Sequence, residues 1–168
     1  MKIVTVLGGY GVFGSRISSG LAAVKGAAVR VVGRDPKAGM PFAESIGAEF
    51  RRADLNNDES LRGAVAGSHV VIHSAGPFQG KDYRVAEMCL DCGSHYLDLA
   101  DSRDFVTGIG ALDEAARRKG LFVSSGVSSV PAITHAMISS LKPEFQSIDE
   151  IHAHLQPLGI RCVTTHLP

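Results

Sequence analysis

With 168 residues, 45% of them hydrophobic and 20% charged, the chain can bury one sizeable core and has the make-up of an ordinary globular domain. Seventeen basic residues balance seventeen acidic ones, which argues against nucleic acid or an anionic membrane surface as a partner. No apolar run approaches membrane-spanning length, the start MKIVTVLGG is too short for a secretory leader, and three cysteines suit a reducing compartment, so a cytoplasmic location is expected.

Ile3, Val4, Val6 and Leu7 form a short apolar run of the kind buried on both faces of a parallel sheet. Glycines follow at 8, 9, 11 and 14, and Gly9, Gly11 and Gly14 spell G-x-G-x-x-G. Phe13, Ile17, Leu21 and Val24 then recur at helical spacing, and a second apolar strand, Ala28 to Val32, ends in Gly33-Arg34. Strand, glycine turn, helix and strand within about thirty residues is the setting in which this pattern holds a dinucleotide. Gly9 is expected to turn the chain out of the strand, Gly11 to let a pyrophosphate approach the backbone, and Gly14 to let the helix pack closely. The amides of Gly11, Val12 and Phe13 are expected to lie unpaired at the helix N-terminus, where an anion is favoured; Tyr10 belongs to the same bend.

The residue ending the second strand selects the dinucleotide. An unphosphorylated adenine ribose is usually met there by Asp or Glu. Here, twenty residues after Gly14, stands Arg34, with Lys37 one turn on. A guanidinium can stack on adenine and grip a 2′-phosphate through charge-assisted bonds of about 1.5–3 kcal/mol each, a preference of roughly tenfold to several hundredfold. NADP(H) is therefore the expected cofactor. Asp35 is expected to cap the helix that Pro36 opens.

The alternation continues. Pro36 to Ile46 reads as a helix, Glu49 to Arg52 as a weak strand, and Glu59 to Val65 as a helix capped by Asn57 or Asp58. His69 to His73 is the fourth strand, Lys81 to Cys92 a helix stopped by Gly93, and His95 to Leu99 the fifth strand. A helix within Asp104 to Lys119 precedes the sixth strand, Leu121 to Ser124, and a last helix spans Pro131 to Leu141. Cys89 and Cys92 have C-x-x-C spacing but no second ligand pair, so they read as small buried hydrophobes, and no metal site is expected.

Six strands alternating with helices predict an α/β doubly wound parallel sheet of order 3-2-1-4-5-6. Ligands in such sheets sit beyond the C-terminal strand ends, which adds Asp54 and Leu55 near adenine, and Ser74, Ala75, Gly76 and Pro77 under the riboses. The bend GGYGVFG with its GR, the run HSAGPF, the run CGSHYLDLADS and the later GVSSVP together resemble the N-terminal NADP-binding domain of the saccharopine dehydrogenase (saccharopine reductase) family over roughly residues 1–140. The resemblance implies a Rossmann domain, here 1–145, that binds NADP(H). It also implies a second α/β domain supplying the substrate pocket and dimer contacts, with chemistry at the C–N bond of an amino-acid adduct.

The chain departs from that pattern in Asp98-Leu99-Ala100-Asp101-Ser102, and it reaches Pro168 soon after one strand-like run, Ile148 to Leu155. Residues 146–168 therefore read as a truncated start of the second domain, the last ten without a recognisable element. A lone strand must join the first sheet, pair with another copy or stay disordered. Asp98, Asp101 and His73 lie near strand ends; the carboxylates read as caps and the histidine as a core residue, so no catalytic residue is assigned. A short-chain dehydrogenase is disfavoured because Tyr83 is followed at the fourth place by Glu87 instead of the lysine that class requires. The expectation is thus an NADP(H)-binding domain whose small-molecule substrate is unknown and which is not catalytically complete alone. A stand-alone NADPH sensor without turnover is the alternative.

Overall fold

The computed structural model describes residues 1–128, 132–155 and 163–166. Two compact units divide the chain, Met1–Val127 and Ser128–Pro168. In the first, the strands β1 (Lys2–Leu7), β2 (Ala27–Gly33), β3 (Glu49–Arg52), β4 (Val70–His73), β5 (His95–Asp98) and β6 (Val123–Ser124) form one parallel sheet of order β3-β2-β1-β4-β5-β6. This is the predicted Rossmann order, with β1 at the centre: Leu7 pairs with Val32 on one side and His73 on the other.

The period-two alternation of each strand sorts its side chains between two cores. Val6, Val29 and Val31 meet Ile17 and Leu21 of α1 (Val12–Ala22) and Phe42 and Ala43 of α2 (Pro36–Ser45). Leu7, Val32, Val71 and Tyr96 face the opposite way. They pack on Leu61 and Val65 of α3 (Asp58–Val65), Cys89 and Leu90 of α4 (Arg84–Asp91) and Ala116 of α6 (Asp113–Lys119). Both faces being covered explains why the strands read as near-continuous apolar runs.

Local chemistry accounts for the helix ends. Asp35 accepts from the Lys37 amide at 2.9 Å and Asn57 from the Ser60 amide at 2.8 Å, so each caps its helix; of the two candidates for α3, Asn57 takes the role. The helix expected within 104–119 is α6, and it is preceded by α5 (Arg103–Gly108) and a 3-10 turn (Ile109–Leu112), with Gly108 and Gly110 between the two helices. Two residues expected on the core face of α1 are outside it: Phe13 is 65% exposed, and Val24 is 52% exposed beyond the helix end. The helix approaches the sheet through Gly14 and Ser18 instead, which are its buried positions.

β2 carries an arginine in its interior. Arg30 is buried, donates through Nε to Glu49 at 2.9 Å, and through one terminal nitrogen to the carbonyls of Ala64 and Ala66 at 3.1 and 3.0 Å. It thereby satisfies carbonyls at the end of α3 that no helical amide can reach. Burial works against the Glu49 carboxylate, but hydrogen bonds from Arg30 and Arg51 prevail and hold its pKa below the ordinary value.

The second unit holds α7 (Thr134–Leu141) and an antiparallel pair, β7 (His152–Leu155) and β8 (Val163–His166), with His152 opposite His166. The tail thus contains a strand where none was expected, and the strand-like run pairs within its own chain, not with the large sheet. Four residues, VTTH, are too short a run for period-two alternation to reveal β8. Pro131, the expected start of the last helix, lies outside the described residues.

Candidate functional site

A cleft of about 1080 Å³ opens beyond the C-terminal ends of β1, β2, β3 and β4, at the upper end of the range of small-molecule and cofactor sites (about 300–1,000 Å³). This is where the strand order reverses, since consecutive connections from β1 run first toward β3 and then toward β6.

The glycine bend forms one wall, and its glycines divide the work differently from expectation. Gly8, not Gly9, takes the left-handed turn out of β1, with φ +74°, and a Cβ there would lie 3.0 Å from that of Ala75. Gly9 is buried beneath the bend: a Cβ would meet the Val6 carbonyl at 2.8 Å, and its own carbonyl accepts from Ser18 Oγ at 2.9 Å. Gly11 caps α1 and lines the cleft; a Cβ on it would touch only the Gly8 oxygen, at 3.2 Å. Gly14 allows the close approach of helix and strand, because a Cβ would stand 2.1 Å from the Gly8 oxygen and 2.7 Å from Ser74 Oγ.

The Gly11 amide, expected to be free, donates to the Gly8 carbonyl at 2.9 Å and closes the bend. The Val12 and Phe13 amides precede the first helical bond, Ser15 to Gly11, and have no acceptor among the described residues. Two open amides, the positive end of an eleven-residue helix and the open side of Gly11 fit an anionic diphosphate. The side chains of Val12 and Phe13 are 77% and 65% exposed and, like Gly9 and Gly14, do not line the cleft.

Tyr10, Arg34, Asp54, Leu55, Ser74, Ala75, Gly76 and Pro77 do line it. Arg34 is exposed at its edge and makes no hydrogen bond or ion pair with a described residue. Asp54 is exposed too, although one carboxylate oxygen accepts the Asn56 amide at 3.0 Å in a local turn. Ser74 Oγ donates to the Leu7 carbonyl at 2.7 Å, tying the loop after β4 to the end of β1.

Sequence reasoning missed Arg84 and Tyr96 as parts of this wall, while His73, read as a core residue at a strand end, is indeed buried and also lines the cleft. Arg84, in the first turn of α4, donates to the Asp58 carboxylate and the Leu55 carbonyl, so it holds the loop after β3 from the side. No motif marks it. His73 and Tyr96 meet on the floor, His73 Nδ1 and Tyr96 Oη lying 3.1 Å apart, and Phe78 stacks edge-on to the imidazole. Burial lowers the His73 pKa to about 4, outweighing the Asp98 charge that favours protonation. Burial, and the same carboxylate after it, push the Tyr96 phenol above its ordinary value. Asp98 itself is fully buried: one oxygen accepts from the Ala100 and Gly126 amides, each at 2.9 Å, and from Ser125 Oγ at 2.7 Å. It caps the turn after β5 and pins the loop after β6. Asp101 accepts from Gln79 Nε2 at 3.2 Å on the surface. Cys89 is buried, its thiol pushed up by burial, and no group of three or more metal-ligating side chains occurs among the described residues.

A parallel sheet of this order, with a glycine bend opening the first helix at the switch point, defines a dinucleotide-binding Rossmann domain. The family model described as the saccharopine dehydrogenase NADP binding domain matches residues 4–138, and the chain belongs to that family, with NADP as its cofactor. Among solved structures, apo saccharopine dehydrogenase (L-Glu forming) from Saccharomyces cerevisiae superposes with a TM-score of 0.69 at 19% identity. That match covers 85% of this chain and 31% of that one, so the chain spans about a third of that protein's length. GenD2 from gentamicin A biosynthesis, in complex with NAD, gives 0.61 at 23% identity over 90% of this chain and 41% of that one. BdcA in complex with NADPH gives 0.59 at 15% identity over 74% and 68%. At these identities the solved structures establish the fold. No curated protein sequence matched the chain. No helix among the described residues is long and apolar enough to cross a membrane.

Proposed function

We propose that the chain is the NADP(H)-binding part of a saccharopine dehydrogenase-like oxidoreductase that acts on the C–N bond of an amino-acid adduct. Residues 1–145 hold the dinucleotide, and residues 146–168 begin the domain that supplies the substrate pocket and dimer contacts. The pyrophosphate lies on the bend of Gly9, Tyr10, Gly11, Val12, Phe13 and Gly14, against the Val12 and Phe13 amides. Arg34 grips the 2′-phosphate, Asp54 and Leu55 border the adenine, and Ser74, Ala75, Gly76 and Pro77 pass under the riboses. When bound, the nicotinamide supplies a hydride acceptor or donor. His73, held neutral by burial, and Asp98, one oxygen of which accepts from three donors, are not assigned as proton donors. In this reading the chain alone does not complete the reaction, and the proton donor comes with the substrate domain.

One observation carries the cofactor assignment: an exposed guanidinium without an internal partner stands at the cleft edge where an unphosphorylated ribose would need a carboxylate. Thermal melts with NADPH, NADH and neither test it. A ligand at a hundred times its Kd adds about 2.7 kcal/mol of stability. NADPH is expected to raise the Tm well above the NADH value at equal concentration, and Arg34→Ala to remove that advantage while leaving NADH nearly unchanged. Equal shifts in the native protein refute the role of Arg34.

A further inference from the structure

Tyr10 joins two parts of the cleft that have to agree on where one ligand lies. It stands in the glycine bend, and its ring crosses to the end of β2, where a Cβ on Gly33 would sit 2.2 Å from its Cε1 and 2.7 Å from its Oη. Glycine at 33 thus leaves the room that the tyrosine fills. Its hydroxyl oxygen accepts the Asp35 amide at 2.9 Å, and Phe50 of β3 flanks the ring with centroids 6.3 Å apart. Arg34 therefore lies between two backbone points held from the bend: Gly33 under the ring and Asp35 on the hydroxyl. Its own side chain is exposed and unpaired among the described residues, so only its backbone aims it. Such a side chain carries up to about 2 kcal/mol of rotamer freedom.

We propose that Tyr10 is a positioning residue for cofactor selection: by holding Gly33 and Asp35 from the glycine bend, it sets the distance between the pyrophosphate cradle and the Arg34 guanidinium. The inference rests on the reading of Arg34 as the 2′-phosphate ligand. In a phosphorylated dinucleotide, one ribose joins the two phosphate-bearing positions, so their separation is nearly fixed. A guanidinium displaced by about 1 Å leaves hydrogen-bonding range of one anion while the other stays bound. Because the hydroxyl bonds Asp35, between β2 and α2, and makes no bond to α1, its loss weakens this alignment without opening the bend.

Calorimetric titration of NADPH and NADH into the native protein, Tyr10→Phe, Arg34→Ala and the double variant tests the proposal. Tyr10→Phe keeps the ring over Gly33 and removes only the acceptor of the Asp35 amide. It is expected to weaken NADPH about three- to tenfold, the worth of one hydrogen bond, with NADH changed by less than about twofold. In the Arg34→Ala background the same change is expected to cost nothing further, because there is nothing left to aim. An unchanged NADPH affinity, an equal loss for both cofactors, or a loss that persists without Arg34 overturns the proposal; the last would mean that the hydroxyl touches the ligand itself. A native protein without NADPH preference instead overturns the reading of Arg34, and the proposal with it. Amide exchange at Asp35, followed without cofactor, checks the structural half separately: it is expected to quicken in Tyr10→Phe, and an unaltered rate overturns the claim that the hydroxyl holds this position.

Discussion

At the scale of single residues, the cleft combines groups held by their surroundings with one that is not. His73 is the clearest case of the first. An unfolded histidine takes up a proton near pH 6.5, whereas the buried one does so only near 4. Between those values the unfolded state binds more protons, so stability falls as pH drops from about 6.5 toward 4, by roughly 3 kcal/mol in all. Urea midpoints at pH 7 and pH 5 should therefore differ, and His73→Phe should flatten the difference. Gly14 is governed by space: Gly14→Ala is expected to cost about 1–3 kcal/mol in urea unfolding, since its Cβ would strike a backbone oxygen that cannot swing away. The place of the glycine bend and of Arg34 at the cleft was readable in the sequence because each stands at a fixed offset from the first strand. The left-handed turn at Gly8 was not, since the four glycines of the bend all permit it and only the close contact with Ala75 distinguishes Gly8 from the rest.

At the scale of elements, the strands were the most legible because burial on two faces writes itself as apolar runs, as in Val29 to Val32. The arginine that interrupts β2 shows the limit of that signal. Nothing in the run Ala28 to Val32 marks Arg30, which reaches Glu49 of β3 and the carbonyls of Ala64 and Ala66 at the end of α3. Arg30→Met is expected to cost about 3 kcal/mol, through two carbonyls left without donors, and to loosen the end of α3 before any other helix. Hydrogen exchange of the Ala66 and Ser68 amides, compared with those of α1, checks it. The same blindness hid Arg84: a single charge in a helix first turn carries no pattern, and only the fold reveals that it holds the loop from Leu55 to Asp58.

At the scale of the molecule, strand order predicts a gradient of protection. β1 is paired with β2 along its whole length and with β4 from Val4 to Leu7, whereas β6 contributes two residues at the sheet edge. Amides of Val4 to Leu7 are expected to exchange at the global unfolding rate, and those of Val123 and Ser124 orders of magnitude sooner. The order itself followed from six alternating strands and the first glycine bend, a topology rule more than a local signal. Pairing of β7 with β8 depended on a four-residue partner strand that carries no pattern of its own.

The central position of β1 also bears on synthesis. This strand is made before both of its neighbours, and the second of them, Val70–His73, follows it only about sixty residues further along the chain. Until then a nascent chain carries the glycine bend on a half-built platform, with one strand edge bare and the opposite wall of the cleft untranslated. A dinucleotide has little to hold until synthesis has passed β4, so any help it gives to folding begins only when more than half of the domain has been made.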